Sequence, residues 1–175
     1  PHNPDPISPR HIIPPRPRYP RSMQRLSHKL QQFLALTAPE RRTVLAAMAW
    51  LPLFWIGLRV LGLQRLQARL QRKPLPQPAR LTADQLPRLG TLVNAAAHHA
   101  LGPANCLTRS LYLWWLLRRR GVDSQLRIGV RLNEGTLDAH AWVEHGGIPI
   151  NDRPDVSTDF APFAEPVSPN LFNTP

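Results

Sequence analysis

Cysteine is almost missing from this 175-residue chain, which has one, Cys106. A lone thiol excludes an intrachain disulfide framework and a thiolate zinc site, and it points to a reducing, cytoplasmic setting. Acidic residues are scarce too: 11 against 22 Lys and Arg, a formal net charge of +11. That excess suits an anionic partner such as nucleic acid, a membrane face or an acidic polypeptide. The arginines are scattered or sit at helix ends, without an aromatic-interleaved basic motif, which argues against nucleic acid. The chain lacks an initiating Met, and no signal-peptide order of charged, apolar and small regions is found. An excised piece of a longer protein and an ordinary disordered start both fit. Long hydrophobic runs are missing as well. The apolar stretch 44–58 falls short of the ~20 residues a bilayer needs, contains Pro52 and meets Arg59 at once. A buried core helix kinked at Pro52 is expected, with peripheral membrane attachment or partner docking as the alternative use of its Trp50, Phe54 and Trp55.

Proline, in contrast, is plentiful, with 21 in the chain. Residues 1–21 are dense in it and poor in core formers, so a disordered, polyproline-like tail or linker is expected there. From 22 to 36, Met23, Leu26, Leu30, Phe33 and Leu34 share one helical face. Thr37 and Glu40 have capping-box spacing, with Pro39 early in the next helix, expected over 38–72. Residues 73–80 form a proline-broken loop. Another helix start falls at 82–85, and an Ala-rich helix over 89–101 ends at Gly102-Pro103. His98 and His99 close that helix. Adjacent helical residues diverge and no third ligand lies in register, so no metal site is expected.

The stretch NCLTRSLYLWWLLRRRG (105–121) places Cys106 in the first turn of a strongly apolar helix stopped by Gly121. Unpaired N–H groups and the helix dipole at that position favour a thiolate. A free cysteine more often simply packs, however. Beyond it the period becomes alternating, and strands are expected over 125–132, 137–144 and 148–152.

A cysteine nucleophile needs a base and a group to orient that base. His140, flanked by Ala139 and Ala141, and Asp152 on the next strand are the candidates; His145 belongs to the turn. A three-residue turn, 145–147, sets His140 opposite Asp152, with Cβ atoms about 4.5–5.5 Å apart. A two-residue Gly146-Gly147 turn pairs His140 with Arg153 instead and sends Asp152 to the other face. The triad therefore requires the longer turn or a bulge. Asn151 is the fallback orienting group.

The segments NCLTRSLYLWWLLRRRG, LRIGV and DAHAWVEHGGIPIND resemble the leader peptidases of lasso-peptide biosynthesis, the B proteins of the transglutaminase-like superfamily. The likeness runs from about 97 to 155 and extends to the apolar helix. It implies an α+β fold, with N-terminal helices packed on a transglutaminase- or papain-like core whose nucleophile helix precedes a small antiparallel sheet. It also implies one domain over 22–175, with a helical part to 101, a catalytic core over 102–156 and an irregular tail over 157–175. In that family pattern Cys106 attacks the scissile carbonyl of a precursor peptide, His140 is base and then acid, and Asp152 orients His140. An ATP-dependent lasso cyclase then closes the ring. No cofactor is implied. The family depends on a leader-recognition protein or domain. The stretch before Ser22 is too short for one, so recognition is expected in trans or lost by excision. The Cys106 N–H with the Asn105 side chain is the expected oxyanion site. Arg109, one turn on, is expected to have a structural role as a salt-bridge partner, with support of the thiolate charge as the alternative.

Overall fold

The computed structural model describes residues 31–72, 81–82, 84–100 and 104–163. The tail over 1–21, the helix start over 22–30, the 73–80 loop, Gly102-Pro103 and the chain after 163 lie outside the described residues. Residues up to Leu36 and those from Thr37 on belong to separate compact units. In the first, residues 31–35 are helical.

The second unit begins with α1 (Ala38–Gln71), then α2 (Gln85–Ala97) and α3 (Cys106–Arg119). The strands β1 (Gln125–Asn133), β2 (Thr136–His145) and β3 (Ile148–Pro149) follow, then the single turn α4 (Val156–Asp159) and β4 (Ala161–Pro162). The four strands form one sheet in the order β3-β2-β1-β4, with antiparallel neighbours. Both margins of that sheet are two-residue strands, each ending in proline. The fold is α+β, as expected. The segment after 156, expected to be irregular, instead turns once and adds β4 to the β1 edge.

Capping chemistry sets where α1 begins. The Glu40 carboxylate accepts from the Thr37 N–H at 2.8 Å and from its hydroxyl at 2.9 Å. Its other oxygen accepts from Arg88 Nε of α2 at 2.7 Å, so one side chain both caps α1 and ties it to α2. Helix α1 is long and apolar enough to cross a membrane by length and composition. Yet Val44, Ala47, Leu51 and Phe54 are buried. Phe54 meets Tyr112 edge-on at 5.4 Å, and Trp50 meets Trp115 at 5.3 Å. Such ring pairs add roughly 0.5–1.5 kcal/mol each beyond their buried area. Burial in this cluster pushes the Tyr112 hydroxyl up to about 12. On the far side of α1, Leu45, Leu53, Ile56 and Val60 are exposed. Their spacings of eight, three and four put them in one sector of the helix.

The expected break at Pro52 is displaced. Pro52 lies within the helix, and the backbone leaves helical geometry at Gly62, with φ 73°. A Cβ on Gly57 would stand 3.1 Å from the Leu66 side chain. In an unbroken helix those residues would be about 13 Å apart along the axis, so the chain doubles back at Gly62. Proline gives up one hydrogen bond and can stay in a helix, whereas this left-handed φ asks for glycine. Helix α2 also ends earlier than expected, at Ala97, with His98 as its exposed C-cap.

Strand β2 is covered on both faces, which is why Ala141, Trp142, Val143 and Glu144 are all buried in succession. Trp142 packs with Val156 and Phe160. Its indole N–H donates to Glu144 at 2.7 Å, and Glu144 accepts from Arg127 at 2.9 Å. The buried carboxylate is thus paired, as such a group must be.

Candidate active site

Cys106 is the first residue of α3. Asn105 extends and caps the helix, its Oδ1 accepting from the Thr108 N–H and hydroxyl, each at 2.9 Å. That use of Oδ1 leaves the amide NH2 as the group Asn105 can offer an oxyanion. Cys106 is half-buried. Being in the first turn, the Cys106 N–H has no carbonyl four residues back within the helix.

One turn further, Ser110 is fully buried. It is a polar residue inside an apolar run, and its partners explain it. Its hydroxyl donates to the Ala141 carbonyl at 2.8 Å and accepts from Asn151 Nδ2 at 2.9 Å. Ala141 follows His140, and Ser110 shares a helical face with Cys106. The bond therefore fastens the Cys106 end of α3 alongside the His140 end of β2.

His140 Nε2 lies 2.6 Å from Asp152 Oδ2, and each side chain is 21% exposed. The route differs from the expected ladder pairing. The hairpin turn is the two-residue Gly146-Gly147, with φ 57° and 80°, and Glu144 faces Pro149. That is the register expected to keep Asp152 away from His140. The ladder stops after Ile150, whose N–H still donates to Val143 O at 2.8 Å. The reciprocal donor, Val143 N–H, goes to Asn151 Oδ1 at 2.8 Å. An antiparallel pair would have sent it to the Ile150 carbonyl. That carbonyl has turned toward α2, where a Cβ on Gly90 would stand 2.3 Å from it. Asn94 Nδ2 holds the Asn151 carbonyl at 2.8 Å. Freed from the strand, the next residue swings to the histidine. Both ends of the Asn151 amide are engaged in this clamp, and the group bonded to His140 is Asp152, not Asn151, the fallback.

Aromatic rings brace the imidazole. Phe160 lies 4.9 Å from it between centroids, and Trp142 stacks at 6.2 Å. Gly129, directly across the ladder from His140, leaves room for both: a Cβ there would stand 2.9 Å from Trp142 and 3.0 Å from Phe160. A carboxylate can only accept, so the Nε2 position carries the proton and Nδ1 is left as the basic nitrogen.

The remaining candidates separate cleanly. His145 ends β2 and its Nδ1 meets the Asp123 carbonyl, away from Asp152. Among the described residues no group of three or more His, Cys, Asp or Glu is placed to hold a metal. Arg109 forms no salt bridge among the described residues, contrary to expectation, and its Nε is buried without a partner. Ser110, Gly90, Asn94 and Phe160 escaped sequence reasoning. Two carried a readable signal: Ser110 as a hydroxyl four residues from Cys106 in an apolar helix, and Gly90 as a lone glycine inside a helical pattern.

Comparison with known proteins agrees with this architecture. The family model described as the transglutaminase-like superfamily matches residues 47–165, more than half of the chain. The microcin J25-processing protein McjB of Escherichia coli is 38% identical over 68 residues, covering 39% of this chain. The matched segment spans only 32% of that relative's length. No solved structure matches the chain.

Proposed function

Because the chain belongs to the transglutaminase-like superfamily, we propose that it is a cysteine endopeptidase that removes the leader from a ribosomally made precursor of the lasso-peptide class. The observation that carries this reading is the 2.6 Å bond between His140 and Asp152, one residue from the carbonyl to which the Cys106 helix is fastened. The name of the partial relative, a microcin-processing protein, adds the substrate class.

In this mechanism His140 Nδ1 takes the thiol proton as sulfur bonds to the scissile carbonyl carbon. The charge on the carbonyl oxygen meets the Cys106 N–H and the Asn105 amide; one such donor is worth about 10²–10³ in rate. The C–N bond then breaks and His140 returns its proton to the leaving amine. Water, deprotonated by the same nitrogen, hydrolyses the thioester and frees the thiol. Asp152 keeps the ring oriented and stabilises the imidazolium. A leader-recognition protein presents the precursor, and an ATP-dependent cyclase consumes the product in the cytoplasm.

Incubation of the precursor with its recognition protein and each variant, followed by mass spectrometry, tests the assignment. Cys106→Ala and His140→Ala should abolish cleavage while circular dichroism and melting stay native. Processing at a normal rate by Cys106→Ala would falsify it.

A second reading, a basic adaptor that docks a partner or membrane without catalysis, draws on the exposed stripe Leu45, Leu53, Ile56 and Val60. Under it, Cys106 should react with iodoacetamide no faster than a buried thiol. Leu53→Glu with Ile56→Glu should then abolish partner retention.

A further inference from the structure

Charge is divided unevenly over this fold. Helices α1 and α3 together carry eight arginines and one acidic residue, Glu40, whose carboxylate is already taken by Thr37 and Arg88. Of the most apolar 18-residue window of α1, only 22% is buried. Leu45, Leu53, Ile56 and Val60 make its exposed stripe, about 22 Å long at 1.5 Å per residue. Trp50 is 42% exposed and meets Trp115, over whose ring the Arg119 guanidinium sits at 5.0 Å. Toward the start of α1, a cavity of about 350 Å³ opens against the end of α3. Arg42 and Arg120 line it with Thr43, Tyr112 and Leu116, and no acidic side chain does. Neither guanidinium has a carboxylate partner among the described residues; Arg120 reaches only the Thr43 hydroxyl, at 3.5 Å. Arg42 stands about five helical turns before Val60, and so in the stripe's own sector of the helix.

A contiguous exposed apolar stripe marks an interaction site, and arginines without acids select an anionic partner. The cavity sharpens the choice. Two guanidiniums at a pocket free of carboxylates match the oxygens of a phosphate, which arginine binds through paired N–H groups. Indole rings at the border of an apolar surface, beside arginines, suit the headgroup level of a bilayer. We infer that α1 seats the protein on an anionic lipid surface. The stripe lies in the boundary between headgroups and acyl chains, and a lipid phosphate enters the cavity lined by Arg42 and Arg120. The helix lies on the bilayer and does not cross it, because Val44, Ala47, Leu51 and Phe54 on its other side are buried in the protein core. Ser110 reaches β2, while Tyr112 and Trp115, on the opposite side of α3, meet α1. Docking through the outer face of α1 therefore leaves His140 and Asp152 on the solution side. In contrast to the adaptor reading, catalysis is retained, and the inference does not rest on the peptidase reading.

Vesicle flotation reads docking without cleavage. The full chain, and Cys106→Ala beside it, is mixed with vesicles of phosphatidylcholine alone or of equimolar phosphatidylcholine and phosphatidylglycerol. Both proteins should float with the anionic vesicles and stay behind with the neutral ones. Arg42→Gln with Arg120→Gln should weaken binding roughly 25-fold, about five-fold for each arginine at an anionic surface. Arg65→Gln with Arg69→Gln removes the same charge beyond the Gly62 reversal and should cost less. Leu53→Ser with Ile56→Ser, at exposed positions, should abolish flotation with charge and melting temperature unchanged. Equal losses in the two arginine pairs would overturn the phosphate site. Flotation untouched by the serine pair would overturn the seating of the stripe. A parent protein that ignores both kinds of vesicle overturns the inference as a whole, and a dimer dissociated by the serine pair would then give the face to a second copy. Should the Arg42, Arg120 pair not fold, Arg42→Gln alone carries the same test with a loss of about five-fold. A parent that floats but never cuts precursor would sink the peptidase reading and leave the docking face standing.

Discussion

Asn151 Nδ2 donates to Ser110 Oγ across 2.9 Å, so the residue before Asp152 is tied to the residue one turn after Cys106. Forty-one positions of sequence separate these two side chains. Together with the Ser110 bond to the Ala141 carbonyl, this contact links β2, the start of α3 and the segment carrying Asp152.

Ser110→Ala should therefore cost both stability and rate. It strands the Ala141 carbonyl and Asn151 Nδ2 without a partner, and a buried unsatisfied group costs about 1–3 kcal/mol. Urea denaturation of the variant should show a loss of that size, and precursor cleavage should slow even though no proposed catalytic group is altered. Unchanged unfolding would mean that the clamp contributes nothing.

Gly90→Ala should act at a distance. The added methyl carbon would stand 2.3 Å from the Ile150 carbonyl, a backbone atom that can yield only by shifting its whole segment. Overpacking of this kind costs typically about 1–3 kcal/mol. The relief available is outward movement of the 150–152 segment, which pulls Asp152 from His140. Thermal melting and cleavage should fall together, whereas Gly135→Ala, strained by its φ of 80° but clear of every neighbour within 4 Å, should lower melting and leave cleavage intact.

Asp152→Ala should slow cleavage without ending it. Orienting and charge-stabilising partners of a catalytic histidine contribute up to about 10⁴ in rate, and the thiol and imidazole stay behind. Single-turnover kinetics should show a reduced rate of acyl transfer with a modest fall in melting, because both side chains are only 21% exposed and the imidazole loses its partner. A variant as fast as the parent would show that the 2.6 Å bond has no bearing on the chemistry.

Stability toward acid should follow Glu40. The Thr37 N–H, then Arg88 and the Thr37 hydroxyl, hold its carboxyl down to about 2 from an ordinary 4.5. The folded state then binds this proton more weakly than the unfolded chain does. The stabilisation is fully present above pH 4.5 and drains away as pH falls toward 2. The urea midpoints of parent and Glu40→Gln should differ at pH 6 and converge across that window. A gap that persists unchanged at pH 2 would place the effect elsewhere.

Much of the fold was legible because short-range chemistry decides it. Thr37 and Glu40 announced α1, and the apolar run from Cys106 to the stop at Gly121 announced α3. The glycines at 146–147 announced a second hairpin turn, though not that it spans two residues and not the three the triad was expected to need. His140 and Asp152 could be named as partners, but the route between them could not. Their pairing depends on where β3 ends, and that depends on Ser110 and Gly90, which lie far away in the chain and are recognised only once α2 and α3 have packed. The Gly62 break was hidden for a related reason. Proline at 52 is the louder local signal, whereas a lone glycine reverses the helix only because Leu66 finds Gly57 to rest on. Arg109 read as an ordinary helical charge, since sequence spacing cannot show that no carboxylate reaches it.

The two margins of the sheet bear on how such a protein handles an extended peptide. Pro149 and Pro162 have no amide hydrogen to offer, and each margin is too brief to template a new strand. Strand addition, the common way of gripping a polypeptide backbone, finds no foothold on β3 or β4 themselves. Under the proposed function, a chain threading past Cys106 therefore draws its grip from side chains, not from these two brief strands, and the same bluntness withholds β3 and β4 from edge-to-edge pairing between copies.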